Sequence, residues 1–141
     1  MASLSLRMLS PRHPPCCKLL DHLLRNLHDN FMLIYKIFRA DEWAALQRNG
    51  RTAGAPVDLA DGYIHFSTAE TVAETTAKHF AGETGLVLLA VEADNLDPLK
   101  WEPARGGVLF PHLYRDLTLD DVVWTRDLPL VDGSHILPDL A

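Results

Sequence analysis

The chain has 141 residues, is 48% hydrophobic and 23% charged, and carries a formal net charge of −6, values that fit one globular domain long enough to build a core. The acidic balance argues against a nucleic-acid partner, because phosphate binding needs clustered Lys and Arg. No stretch approaches the roughly 18 uninterrupted apolar residues of a spanning helix, so no membrane partner is expected.

Residues 1–31 differ from the rest. They are rich in Ser and Pro at first, with Arg7 and Arg12 and no acidic residue before Asp21. Pro11, Pro14 and Pro15 interrupt any helix there, so a loosely ordered N-terminal extension is expected. It reads either as a targeting segment or as the product of a start placed upstream of Met32. The two cysteines, Cys16 and Cys17, are adjacent and poorly placed to bridge each other. With no further cysteine in the chain, either a reducing setting or a protein indifferent to redox fits, and a cytoplasmic location is expected. A single domain then spans 32–141.

Residues 33–38 read as a strand of β-branched and aromatic side chains. Asp41 can cap a helix over 42–49, with Trp43, Leu46 and Ala45 on its inner face and Gly50 as its stop. Residues 51–60, with Gly54 and Pro56, read as a loop. Asp61-Gly62 signals a turn, and Tyr63-Ile64-His65-Phe66 a short strand. Ser67 and Glu70 have capping-box spacing, which predicts a helix from Ser67 to about Ala81 with Val72, Thr76 and Phe80 inward and Ala69, Ala73 and Ala77 beside them. Residues 85–92 form the most apolar run and read as a central strand. Short strands follow at 99–102, 108–110 and 122–125. The Phe110-Pro111 step is expected to bend the chain, and the tail from Leu128 to wrap the surface.

Polar chemistry meets a strand end in three places: His65-Phe66-Ser67-Thr68, Trp101-Glu102, and Phe110-Pro111-His112-Leu113-Tyr114. A histidine can serve as acid, base or donor near neutral pH. A carboxylate such as Glu102 can orient it or steady positive charge. His65, His112 and Glu102 are therefore the catalytic candidates. A rigid Pro111 would hold His112 in a defined place. His65 and His112 are expected within about 10 Å of each other in one concave site, with Ser67 or Thr68 in the same rim. Structural duties compete for each residue: Ser67 as a helix cap, His65 as a half-buried strand residue, His112 as a loop tie, Glu102 as a partner of Arg105. A metal site of His65, Glu102 and His112 is a further alternative, of the three-ligand catalytic kind. No nucleotide-binding glycine loop, nucleophile elbow or zinc-protease motif is present, and the residues name no cofactor.

Five stretches occur in a characteristic order: Leu33-Ile34-Tyr35-Lys36-Ile37, the run from Asp61 to Glu70, Leu86-Val87-Leu88-Leu89-Ala90-Val91-Glu92, Lys100-Trp101-Glu102 and Phe110-Pro111-His112-Leu113-Tyr114. Together they resemble the bacterial domain-of-unknown-function family 952, over about residues 32–130. Thr71 stands where the family would carry Gln. The resemblance implies an ADP-ribosyltransferase-like fold: a compact α+β domain with small, mostly antiparallel sheets around a cleft and helices outside. In the active transferases of that group an early strand, a Ser/Thr-rich second strand and a late-strand Glu surround NAD. Here Tyr63 to Ser67 resembles the second element, the early strand carries Tyr35-Lys36, and the late position carries Phe110-Pro111-His112 where the transferases carry Glu. The implied ligand is small and nucleotide-like, with NAD derivatives among the candidates. Tyr35, Ser67, Thr68, Tyr114 and Arg115 would line its cleft. A non-catalytic interaction or ligand-sensing module is the alternative, and a metal-dependent hydrolase a lesser one. The oligomeric state is left open.

Overall fold

The computed structural model describes residues 32–104 and 106–140; the N-terminal extension lies outside them. Leu33–Phe38 is strand β1. It pairs antiparallel with β4 (Leu86–Glu92), Leu33 opposite Glu92 and Phe38 opposite Val87. On its other side β4 pairs antiparallel with β8 (Val122–Leu128), so β4 is the middle strand. All seven β4 residues are buried, as an apolar run covered on both faces requires.

A second three-stranded sheet has the order β3-β6-β5, built from Ile64–His65, Leu109–Leu113 and Leu99–Pro103, again antiparallel. Two ribbons complete the strands: β2 (Arg51–Thr52) with β7 (Leu117–Thr118), and β9 (Leu130–Val131) with β10 (Ser134–His135). The helices are α1 (Ala40–Asn49), α2 (Pro56–Asp61) and α3 (Val72–His79). This is an α+β fold of small antiparallel sheets, and no helix among the described residues is long and apolar enough to cross a membrane.

Strand alternation divides the core. Ile34 and Phe38 of β1 and Leu89 and Val91 of β4 pack with Ile64, Phe66 and Leu113 around the second sheet and with Leu46 of α1. Tyr35 and Ile37, on the opposite face of β1, pack with Leu88 and Ala90, with Val72 of α3, and with Leu137 and Leu140 of the tail. Successive side chains on a strand point to opposite faces, so one sheet serves both clusters.

The two sheets are joined at one short segment. Ser67 N donates to Tyr35 O and Tyr35 N to Ser67 O, each at 2.8 Å, while Phe66 N donates to Pro111 O at 3.0 Å. That bridge overturns the expected helix start at Ser67. A residue paired in both directions with a strand is held extended, so the chain turns helical only after Thr71, the cap residue of α3. The same helix ends at His79 rather than Ala81, and Ala69, Ala73 and Ala77 are exposed; Val72 and Thr76 are buried as expected. Residues 51–60 are not a plain loop, since they hold β2 and most of α2. Pro56 opens α2, and Gly62, at φ +88°, closes it by donating to Asp58 O. Pro111 makes no bend: β6 runs straight through it, with His112 opposite His65 and Pro111 opposite Trp101. The pairing with β3 ends at His65, so beyond it Pro111 supplies only its carbonyl, to Phe66. The tail packs as expected, with His135 Nε2 2.7 Å from Glu83 O.

Candidate functional site

The β3–β6 pairing puts His65 directly across from His112, and their ring centroids are 5.1 Å apart, edge to face. Tyr63 stacks on His112 at 4.2 Å and lies 4.8 Å from His65 and 5.1 Å from Tyr114. Residues 63 and 65, and 112 and 114, share a face because each pair is two positions apart on an extended chain. The two histidines expected to approach each other therefore do so, with two tyrosines around them.

Each imidazole is held at Nδ1 by a carboxylate. Glu102 Oε1 lies 2.8 Å from His112 Nδ1 and accepts a 2.6 Å hydrogen bond from the Tyr114 hydroxyl. Glu102 reaches both from the adjacent strand β5, where it sits opposite Phe110. These two hydrogen bonds, Tyr114 first, hold the Glu102 carboxyl below its ordinary range. In return the Glu102 bond pushes the Tyr114 phenol up to about 12. Lys100, which sits opposite His112, places its ammonium 4.8 Å from the centre of the Tyr114 ring. Arg105, the partner expected for Glu102, lies outside the described residues.

On the other side Asp58 Oδ1 lies 2.6 Å from His65 Nδ1 and also accepts the His65 backbone N–H at 3.0 Å. Asp58 is 1% exposed. Its second oxygen accepts from the Lys36 ammonium at 2.6 Å and from the Ala55 backbone N–H at 2.8 Å. Burial pushes Asp58 up, but the bonds from His65 and the charge and hydrogen bond of Lys36 outweigh it and hold the carboxyl below the usual range. Burial also pulls the Lys36 ammonium below its ordinary value, against the opposing attraction of Asp58. A third carboxylate, Asp61, places Oδ2 3.0 Å from His65 Nε2 and is itself largely open to solvent.

Among the described residues no three His, Cys, Asp or Glu side chains gather as a metal site. The three residues of the metal alternative, His65, Glu102 and His112, are thus not gathered as a ligand set; Glu102 instead holds His112 at Nδ1. Beside the tyrosines lies a shallow depression of about 200 Å³ lined by Ala53, Leu59, Ile64, Tyr63, Tyr114 and Arg115, among others. It is smaller than the roughly 300–1,000 Å³ of sites that enclose a drug-sized ligand. It suits one ring or one small group, but neither histidine lines it, so the cleft expected around His65 and His112 is lined here by their tyrosine neighbours instead.

Four residues expected to line the cleft point their bonds elsewhere. Tyr35 is buried and packs on Trp124 at 5.9 Å. Alternation puts it on the opposite face of β1 from Lys36, so Lys36 is the β1 residue that reaches the site. Ser67 Oγ donates to Thr75 Oγ1 at 3.2 Å, and Thr68 Oγ1 meets Thr71 Oγ1 at 3.0 Å; both hydroxyls thus tie down the start of α3 instead of facing the histidines. Arg115 borders the depression, but its guanidinium grips both oxygens of Asp121 at 2.9 and 3.2 Å. Sequence reasoning missed Asp58, Asp61, Lys36 and Tyr63. Pro56 followed by Asp58 is a helix-start signal that would have placed a carboxylate in the first turn of a short helix ahead of the His65 strand.

The profile of a family described as proteins of unknown function (DUF952) matches residues 37–125. The chain is similar to the crystal structure of protein CC0527 from Caulobacter crescentus, with 53% identity over 74% of this chain and 93% of that one and a TM-score of 0.71. A crystal structure of a double mutant of that protein matches with 51% identity, the same coverage and a TM-score of 0.71. Its solution NMR structure matches with 52% identity over 73% and 90% of the two chains and a TM-score of 0.66. No curated protein matches the chain.

Proposed function

The chain belongs to the DUF952 family, and we propose that its paired histidines form an acid–base site acting on a small, nucleotide-like ligand. The observation that carries this reading is the pair itself: two imidazoles 5.1 Å apart, each with Nδ1 against a carboxylate. Such a pair can give a proton to one ligand atom and take one from another. The carboxylates fix the orientation of each ring. Tyr63 and Tyr114 offer aromatic faces for a base or nicotinamide-like ring, and the adjoining depression has room for one such ring. The likeness of the family motifs to the ADP-ribosyltransferase-like group supports NAD-derived ligands as the first to test, on analogy alone. By that resemblance Phe110-Pro111-His112 takes the position where the transferases carry their late Glu, and Glu102 is bonded to His112. The expected chemistry is therefore acid–base transfer or hydrolysis.

A thermal-shift series with NAD, ADP-ribose, AMP and zinc ions tests the reading. A ligand that binds the native state raises its melting temperature. ADP-ribose or NAD is expected to do so for the wild type and to fail with His112→Gln. A second reading, a non-catalytic sensing or interaction module, is favoured by the structural duties of Ser67, Thr68 and Arg115. It prevails if none of the four probes stabilises the protein and His65→Gln and His112→Gln change stability alone.

A further inference from the structure

We infer that Lys36, Asp58 and His65 form a buried positioning relay, in which Asp58 keeps the proton of His65 on Nδ1 and so makes Nε2 the nitrogen that meets the ligand. The inference deepens the acid–base reading and rests on it for the ligand. The relay itself rests on geometry alone.

Asp58 is saturated with hydrogen bonds. Its Oδ1 accepts the His65 backbone N–H and faces His65 Nδ1; its Oδ2 accepts the Ala55 backbone N–H and the Lys36 ammonium. A backbone N–H can only donate, and an ammonium has no lone pair. Both carboxylate oxygens are therefore committed as acceptors. With Asp58 ionised beside Lys36, the remaining partner, Nδ1 at 2.6 Å, has to donate as well, which places a proton on Nδ1. Asp58 and Lys36 have side-chain exposures of 0% and 7%. Water is thus poorly placed to substitute for either, and Lys36 balances the carboxylate that the histidine leans on.

The surrounding backbone is shaped for this carboxylate. Gly54 has φ +110°, and a Cβ there would come within 2.4 Å of Asp58 Oδ2. Thr52 Oγ1 accepts the Gly54 N–H at 3.1 Å and holds that turn. Nε2 faces the opposite way, toward Asp61 on the solvent side. Asp61, the last residue of α2 before Gly62, is exposed, so water or a ligand can take its place on Nε2, as neither can take the place of buried Asp58. The His112 dyad lacks this buried counter-ion: its carboxylate is shared with a tyrosine hydroxyl on a partly open edge. Two histidines of similar appearance thus differ in how firmly their nitrogens are assigned.

Nitrogen-15 NMR of the imidazole rings in the full-length wild-type protein reads the relay directly, with no ligand present. At a pH where the ring is neutral, His65 is expected as one form, protonated at Nδ1. A His65 protonated at Nε2, or an even mixture, would overturn the inference whatever the fate of the ligand reading. In Asp58→Asn the amide can present its own donor to Nδ1, and the tautomer is expected to switch toward Nε2–H. Should that variant fold poorly because the buried Lys36 ammonium has lost its counter-charge, Lys36→Met/Asp58→Ala removes both charges and leaves Nδ1 without an acceptor, and loss of the Nδ1–H preference is read there in its place. With ADP-ribose as probe, affinity is expected to fall by about tenfold or more in the variant, the scale typical of losing a group that orients a functional histidine. An unchanged tautomer in a folded Asp58→Asn variant would also sink the relay. A switched tautomer with no ADP-ribose binding in either protein would leave the relay standing and remove that ligand.

Discussion

Asp58 is where single side chains decide most. It is buried, ionised and saturated, with a lysine on one oxygen and a histidine on the other. Asp58→Ala leaves the Lys36 ammonium buried without its counter-charge, and the expected cost is about 3–5 kcal/mol. Urea denaturation checks this, and adding Lys36→Met to the same variant should recover much of the loss. The pH dependence follows from the lowered Asp58 value. The unfolded chain binds this proton more readily than the folded one, so the group's contribution is complete above the unfolded value of about 3.9 and is lost as pH falls through the folded value. Acid unfolding curves should therefore be shallower in that window for Lys36→Met/Asp58→Asn than for the wild type; equal slopes would show that Asp58 is not a source of the acid sensitivity. Tyr114 offers a separate reading on the other dyad. Its phenol, pushed up to about 12 by Glu102, should stay protonated in a tyrosinate absorbance titration until far above the usual range. In Glu102→Gln it should ionise nearer to about 10.

Among the elements, the passage from β2 to α2 is the least forgiving. Gly54 and Gly50 both have positive φ, at +110° and +79°, but a side chain at Gly50 meets open space while one at Gly54 meets the Asp58 carboxylate. Gly50→Ala should cost about 1 kcal/mol from backbone strain alone. Gly54→Ala should cost clearly more, in the range of about 2–4 kcal/mol, because strain at a left-handed position adds to displacement of a buried charge. Melting temperatures of the two variants rank them, and a Gly54→Ala no worse than Gly50→Ala would mean that Asp58 can move. The start of α3 is governed differently. Ser67 holds the backbone bridge to Tyr35, and no side chain caps α3; the hydroxyl of Thr71 instead accepts the Thr68 N–H, at 2.9 Å, in the turn before the helix.

Over the whole of residues 32–140, two clusters share the β1–β4–β8 sheet. Trp43 packs on the cluster that supports the histidine site, and Trp124 on the cluster beneath α3 and the tail. Every buried β4 residue belongs to a strand that both clusters need, and the Ser67–Tyr35 bridge ties the second sheet to the first. Unfolding should therefore be one cooperative transition. Fluorescence of Trp101→Phe/Trp124→Phe and of Trp101→Phe/Trp43→Phe reports the two clusters separately, and the midpoints should coincide once each variant's own stability is taken into account. A persistent gap within a single variant, between fluorescence and far-ultraviolet dichroism, would reveal independent melting.

What the sequence determined by itself was local and periodic. The apolar run of β4, the β-branched content of β1, the Gly50 stop of α1 and the inward face of Val72 and Thr76 all follow from patterns a few residues long, and the structure keeps them. The meeting of His65, His112, Glu102 and Tyr114 was also anticipated, because each sits at a strand end beside polar neighbours. Pairing decided the rest. Tyr35 and Lys36 are adjacent in sequence, and only the register of β1 on β4 sends Lys36 toward Asp58 and Tyr35 toward Trp124. Ser67 has the local look of a helix cap, yet a bridge to a strand 32 positions earlier overrides that preference, since two backbone hydrogen bonds between buried groups outweigh one capping bond. Asp58 looked like a loop residue because its partners lie at positions 36 and 65. Its role is a sum of contacts that no short window contains, and a buried charge finds its counter-ion through the tertiary fold.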